Sequence, residues 1–322
     1  DQAFRTFTAA RVADQLTHIL DLQGVPRFFN PLERTMLFGF QSFGEYLPGV
    51  AVPLVKEKMR QETSNVILPA EHELLSDHLR KRQQEGVRMN VNFLGEALLG
   101  EREAQQRLER YIAAVGLPSV ECISVKISTI YSQVSPIARE HTSRVVADRL
   151  ELLYRAANRQ EFRRHDGSVT SKFVYLDMEE YRDLHLTVDA MKRALNRDGL
   201  QDVRAGIALQ AYVPDSYDVL QDLLDWSKQR VEQGAQPLTI RLVKGANMEM
   251  ERVDASISGH PLAPFSNKLD TDANFKKMLR ALLSPELNGS IRVGLASHNL
   301  FDIALGMIWA TENNSIDRLQ FE

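Results

Sequence analysis

From about residue 87 onward the chain alternates short β-type apolar runs with helical stretches, and no Asn-Gly type of hairpin signal joins two of the runs. Strands that do not return through tight turns must pair in parallel, with right-handed crossovers carried by the intervening helices. The runs are VRMNVNFLG (87–95), ECISVKIST (121–129), KFVYLDME (172–179), residues 204–213, PLTIRLVKG (237–245), residues 290–297 and a strand start at 317–322. Helices are predicted at 101–115, from near Ile137, and at 180–195, 215–233, 272–284 and 300–312, with a long irregular segment at 249–270. Two architectures accommodate such a series: a (βα)8 barrel and an open doubly wound sheet. The G-x-G-x-x-G turn of a dinucleotide-binding sheet is absent. Polar residues fall instead near the C-terminal ends of at least five strands, which suits a barrel whose strand ends converge on one mouth. The expected fold is therefore α/β, a (βα)8 TIM-like barrel over 87–322 truncated near strand seven, preceded by a helical arm at 1–86.

An arginine inside an apolar strand needs a ligand or a charge partner to be tolerated there, which singles out Arg241. Lys244-Gly245 ends the same strand, a point charge beside a residue that lets backbone approach closely, as a phosphate contact requires. Lys126 shares the strand parity of Cys122 and Ser124, so its ammonium is expected on the same face, near the strand end. Asp177 ends the run FVYL and fits two roles equally, a charge partner for Lys126 or the N-cap of the following helix. Gln210 offers a donor and an acceptor in an otherwise apolar strand, as the edge of a flavin or nucleobase ring would use. His298-Asn299 lie between a strand and a helix, where free N–H groups favour an anion or a polar ring edge.

Hydrophobic residues make up 43% and charged residues 25% of the 322, an ordinary globular balance. A net charge of −4 gives no basic field for nucleic acid. The single cysteine, Cys122, excludes an intrachain disulfide and a cysteine-rich zinc site, and no metal is expected. No stretch approaches the roughly 18 apolar residues of a membrane span, and residues 1–12 lack a signal-peptide core. A cytosolic location is expected. The first residue is not methionine and the last run reads as a strand in progress, so a piece of a longer chain is expected.

The segments VRMNVNFLGEALLGE, ISVKIST, VYLDMEE, IALQAY, IRLVKGA, SNKLDTDANF and LASHN, in this order, resemble the proline dehydrogenase domain of bacterial bifunctional proline-utilisation enzymes over roughly residues 30–322. The resemblance implies a distorted (βα)8 barrel, non-covalent FAD, and oxidation of L-proline to Δ1-pyrroline-5-carboxylate with electrons passed to a membrane quinone. A fused pyrroline-5-carboxylate dehydrogenase domain, peripheral contact with the inner membrane and a homo-oligomer in the full-length protein accompany that expectation. By the resemblance, Lys126 contacts the substrate carboxylate, Asp177 is a site aspartate, and Gln210 and Arg241 border the flavin ring, the arginine near N5. Lys244, Gly245, Ala246, Lys268, Ser297, His298 and Asn299 match cofactor contacts, and Glu322 stands beside the cofactor. Glu96 matches a glutamate that gates the site by pairing with an arginine of the last helix. Asn247 stands where better-known members carry tyrosine, and the tyrosine and Arg-Arg pair of the family's final strand and helix do not occur in this chain. Two other functions stay open: a flavin-binding or regulatory fragment without turnover, and a barrel enzyme that forms a Schiff base on Lys126.

Overall fold

The structure, a computed structural model, describes residues 8–25, 27, 29–44, 46–63, 72–93, 98 and 100–322. Glu96 lies outside the described residues. The chain forms two compact units, Asp1–Leu75 and Ser76–Glu322.

The first unit contains α1 (Ala9–Gln23), α2 (Pro31–Phe43) and α3 (Pro48–Thr63). Asn30 and Glu33 cap α2 reciprocally, each side chain taking the other's backbone N–H, and Pro31 stands at the first helical position where its absent N–H costs nothing. Val12, Ala13, Leu20, Phe40 and Val52 form the core of this unit.

α4 (His72–Gln84) leads to β1 (Asn90–Asn92), and then α5 (Glu101–Gly116), β2 (Cys122–Val125), α6 (Ile127–Ile130), α7 (Arg139–Asn158), β3 (Glu161–Arg163), β4 (Val169–Ser171) and β5 (Phe173–Leu176) follow. The chain continues through α8 (Leu184–Leu195), β6 (Arg204–Gln210), α9 (Ser216–Glu232), β7 (Leu238–Val243), α10 (Met248–Ser258), α11 (Lys268–Leu282), β8 (Ile291–Leu295), α12 (Leu300–Glu312) and β9 (Leu319–Phe321). The helices bury apolar stripes at helical spacing: α7 hides Val146, Leu150, Leu153, Tyr154 and Ala157, one face of the helix.

Seven strands pair in the order β1-β2-β5-β6-β7-β8-β9, all parallel. The order never reverses, so there is no switch point and the doubly wound alternative falls. The sheet is curled: the Tyr175 hydroxyl on β5 donates to Glu322 just after β9 at 2.6 Å, although a flat sheet would hold those strands roughly 19 Å apart. Register places Gly206 beside Tyr175, and Gly294 between Arg241 and Gln320. A Cβ at Gly206 would come within 2.5 Å of the Tyr175 ring, and one at Gly294 within 2.5 Å of the Glu322 carboxylate. These two positions leave the interior space that the larger side chains fill.

At the N-terminal end of the strands, buried Glu121 accepts from Arg88 and Arg164, at 2.9 and 2.7 Å, and binds the start of β1, the start of β2 and the β3–β4 turn together. Burial opposes its charge, but the two guanidinium groups prevail and hold its carboxyl below the usual range. Arg204, stacked on Phe173, is pushed down to about 10 by burial.

Among the departures from the expectation, the 121–129 run is a strand only to Val125 and then turns into α6. β3 and β4 form an antiparallel hairpin closed around Asp166 and Gly167 (φ 82°), where a turn signal does exist; its strands are three residues long, too short to show a period, which hid them. The segment predicted as irregular contains α10, which has acidic residues in its first turn and ends at Gly259 in the left-handed conformation.

Candidate functional site

The C-terminal ends of the parallel strands surround a cavity of about 570 Å³. Lys126, Asp177, Gln210 and Arg241 line it, with Lys244, Gly245, Ala246 and Asn247 from the β7–α10 turn. Lys268, Ser297, His298 and Asn299 line it as well. Twelve of the residues singled out in the sequence therefore share one site. Glu322 lines the adjoining interior cavity and reaches this one through Arg241.

Arg241 points inward from β7 by strand parity, and its guanidinium lies 3.9 Å from the centre of the Tyr175 ring. Its Nη1 donates to Asp177 Oδ1 at 2.8 Å and its Nε to Glu322 Oε2. Burial works against its charge, but the Glu322 and Asp177 carboxylates outweigh that and raise its pKa further. Asp177 also accepts from Asn92 at 3.1 Å and from Ser124 at 3.2 Å. Burial nevertheless pushes its carboxyl above the usual value, with Arg241 pulling the other way.

The expected Lys126–Asp177 pair is not formed. Lys126 pairs with Glu179, whose second oxygen accepts from Ser128 at 3.1 Å. Two residues of further chain carry Glu179 over the mouth, whereas Asp177, at the strand end, is turned toward Arg241. Nor does Asp177 cap a helix: Glu180 precedes the short 3-10 turn at 181–183, and Asp183 precedes α8.

Gln210 donates through Nε2 to the carbonyls of Met178 and Glu179, both at 3.1 Å, and accepts from the Ala246 N–H at 3.3 Å. Asn247 Nδ2 donates to the same Glu179 carbonyl at 2.6 Å. Gly245 has φ 141° and packs so closely on Tyr212 that an added Cβ would fall 2.4 Å from the ring, so this turn requires glycine.

Lys244 lies between Asp272 at 2.6 Å and Asp302 at 2.8 Å, and burial is outweighed by those carboxylates, which raise its pKa. Lys268, largely exposed, shares Asp272. Ser297 donates to Asp302 at 3.3 Å, and Asn299 caps α12 by accepting the Phe301 N–H at 2.9 Å. His298 stands exposed at the rim.

Sequence reading did not single out Glu179, Asn92, Ser124, Ser128, Tyr175, Asp272 or Asp302. Glu179 lay in the acidic run DMEE and Asp272 in LDTDANF, a signal without a direction. Among the described residues no group of His, Cys, Asp and Glu is arranged to hold a metal ion.

The proline dehydrogenase family model matches residues 75–322. The bifunctional protein PutA of Klebsiella aerogenes is 27% identical over 259 residues, covering 76% of this chain and 18% of that protein. The same holds for PutA of Escherichia coli K12. Among solved structures, proline utilization A (PutA) from Corynebacterium freiburgense matches with TM-score 0.76 and 36% identity, over 92% of this chain and 29% of that one. PutA from Bdellovibrio bacteriovorus inactivated by N-propargylglycine matches with TM-score 0.74 and 25% identity, over 98% and 33%. The chain thus spans about a fifth of the curated relatives and about a third of the solved ones. The seven-stranded parallel sheet and the match over residues 75–322 together place it: the chain belongs to the proline dehydrogenase family.

Proposed function

We propose that this chain is the proline-oxidising domain of a larger bifunctional enzyme, converting L-proline to Δ1-pyrroline-5-carboxylate with FAD. The observation that carries the reading is the convergence of Lys126, Arg241 and Gln210 on one cavity at the strand ends of a chain that belongs to this family.

The residues at the mouth fit a flavin dinucleotide. The cavity falls in the size class of small-molecule and cofactor sites. Its wall carries a guanidinium, three ammonium groups, four carboxamides and an imidazole, donors that suit a pyrophosphate and the polar edge of a flavin. Gln210, Arg241, Lys244, Gly245, Ala246, Lys268, Ser297, His298 and Asn299 would hold it, with Glu322 fixing Arg241 from below. When bound, FAD would supply the acceptor for the hydride that leaves C5 of proline.

Lys126 offers its ammonium to the substrate carboxylate. Arg241 provides a fixed positive charge, held by Asp177 and Glu322 so that it need not reorganise during the reaction. Gln210 and Asn247 clamp the 178–179 backbone and so fix the wall against which the substrate ring rests. A membrane quinone as final acceptor, peripheral membrane contact, a fused aldehyde-oxidising domain and a homo-oligomer in the full-length protein belong to the same proposal. Among the described residues no helix is long and apolar enough to cross a membrane. Glu96, by the family resemblance, gates the site.

A Schiff base on Lys126 is disfavoured by its engagement with Glu179, since such a lysine must present a free amine. The decisive experiment adds L-proline to the flavin-loaded full-length protein without air and follows the visible flavin band. Bleaching supports the proposal. A band left unchanged while proline binds makes the protein a flavin-binding module without turnover.

A further inference from the structure

The proline reading leaves one carboxylate at the mouth without a role, Glu179. Asp177 is already committed to Arg241, Ser124 and Asn92. Glu179 instead spends one oxygen on the Lys126 ammonium and the other on the Ser128 hydroxyl, with both members of the ion pair about three-quarters buried. We propose that Glu179 is a resident counter-ion for Lys126, occupying the position of the substrate carboxylate until that carboxylate displaces it. The inference rests on the proline reading and assigns a specificity residue within it.

Four considerations favour exchange over simultaneous contact. A second carboxylate brought to Lys126 while Glu179 stays would meet the charges of Glu179 and Asp177 in a half-buried cavity, where like charges are costly. Exchange leaves the net charge of the mouth unchanged. The Glu179 main chain is tied separately, its carbonyl taking Gln210 Nε2 at 3.1 Å and Asn247 Nδ2 at 2.6 Å, so its side chain can leave Lys126 without releasing the strand-end loop. Glutamate has the rotamers to swing, and the neighbouring residue Glu180 is engaged outward with Arg182. The consequence is selectivity. A ring that carries a carboxylate can replace Glu179, whereas an uncharged ring cannot, so the lysine is closed to neutral analogues.

The test uses the full-length, flavin-loaded protein and four forms: parent, Glu179→Gln, Lys126→Met and the double variant. Affinity is measured for L-proline, cyclopentanecarboxylate, cyclopentanecarboxamide and acetate. Glu179→Gln should bind the two ring carboxylates about tenfold more tightly, with the gain in KM for proline rather than in kcat, and the carboxamide at parental affinity. In the Lys126→Met background the same substitution should tighten carboxylate binding only by the like-charge repulsion it removes, much less than tenfold, because the partner it competes for is gone. Ser128→Ala, which frees one oxygen of Glu179, should act in the same direction more weakly and serves if the glutamine variant does not fold. Weaker carboxylate binding by Glu179→Gln, or equal tightening of carboxylate and carboxamide, overturns the proposal. If proline and both rings fail to bind the parent while acetate still binds Glu179→Gln more tightly, the proline reading falls and the counter-ion role stands.

Discussion

Arg241 spans two carboxylates from different strand ends, and its removal would leave Asp177 and Glu322 facing a buried site without compensation. Arg241→Met is therefore expected to cost about 3–5 kcal/mol of stability in a urea titration, and adding Asp177→Asn should recover part of it. Under the proposed function the same variant slows flavin reduction by proline, by about 2–4 kcal/mol of barrier. Asp183 makes a second prediction. Burial, helped by Glu180 and Glu179 and opposed by Arg182, pushes its carboxyl from 3.8 up to about 6. Between those values the folded chain holds a proton that the unfolded chain has released, so stability falls as pH rises through the window. Asp183→Asn should stabilise the protein at pH 7 by up to about 3 kcal/mol and flatten the pH dependence between 4 and 6; an unchanged melting profile across that range would refute the shift. At this scale the sequence revealed which charges were anomalous, since an arginine or aspartate in an apolar strand stands out. It did not reveal their partners: strand parity fixes the face a side chain takes, but Asp177 is taken by Arg241 from β7, and Glu179, two residues further along, reaches Lys126 instead.

The β7–α10 and β8–α12 junctions line the cavity at the strand ends, and each depends on one local device. At β8–α12 the Asn299 side chain takes the Phe301 N–H. Asn299→Ala should cost about 1 kcal/mol of stability in thermal melting and, under the proposed function, loosen flavin retention, measured by the flavin remaining after dialysis. Gly206 makes a sharper case, because an added methyl would meet both the Tyr175 ring and the Thr239 carbonyl, and backbone cannot move aside as a side-chain tip can. Gly206→Ala should cost about 1–3 kcal/mol, and Tyr175→Phe, which leaves the ring in place, should not rescue it. The long elements were legible because their apolar residues recur at one period, as in α7. The β3–β4 hairpin and α10 were not, since three-residue strands have no period to read and α10 mixes acidic and apolar residues over only three turns.

For the whole molecule, an uninterrupted strand order and a convergent set of polar strand ends followed from the alternation of segments, because parallel pairing with right-handed crossovers leaves few alternatives. The chain divides between residues 75 and 76, inside α4, so the division follows no break between elements. That division carries the last prediction. The first unit has its own core, in which Phe40 is 6% exposed and packs with Val12, Ala13, Leu20 and Val52. The second has a separate core around β5, β6 and β7, whose residues are almost all buried. Units with separate cores can open at different free energies. Phe40→Ala should remove about 3–5 kcal/mol from the first unit alone, enough to abolish a small core. Amide hydrogen exchange should then rise across α1–α3 while protection in β5–β7 stays at the parental level, as should any flavin bound at the strand ends. A uniform loss of protection through both sets of elements would show one cooperative unit and overturn the division.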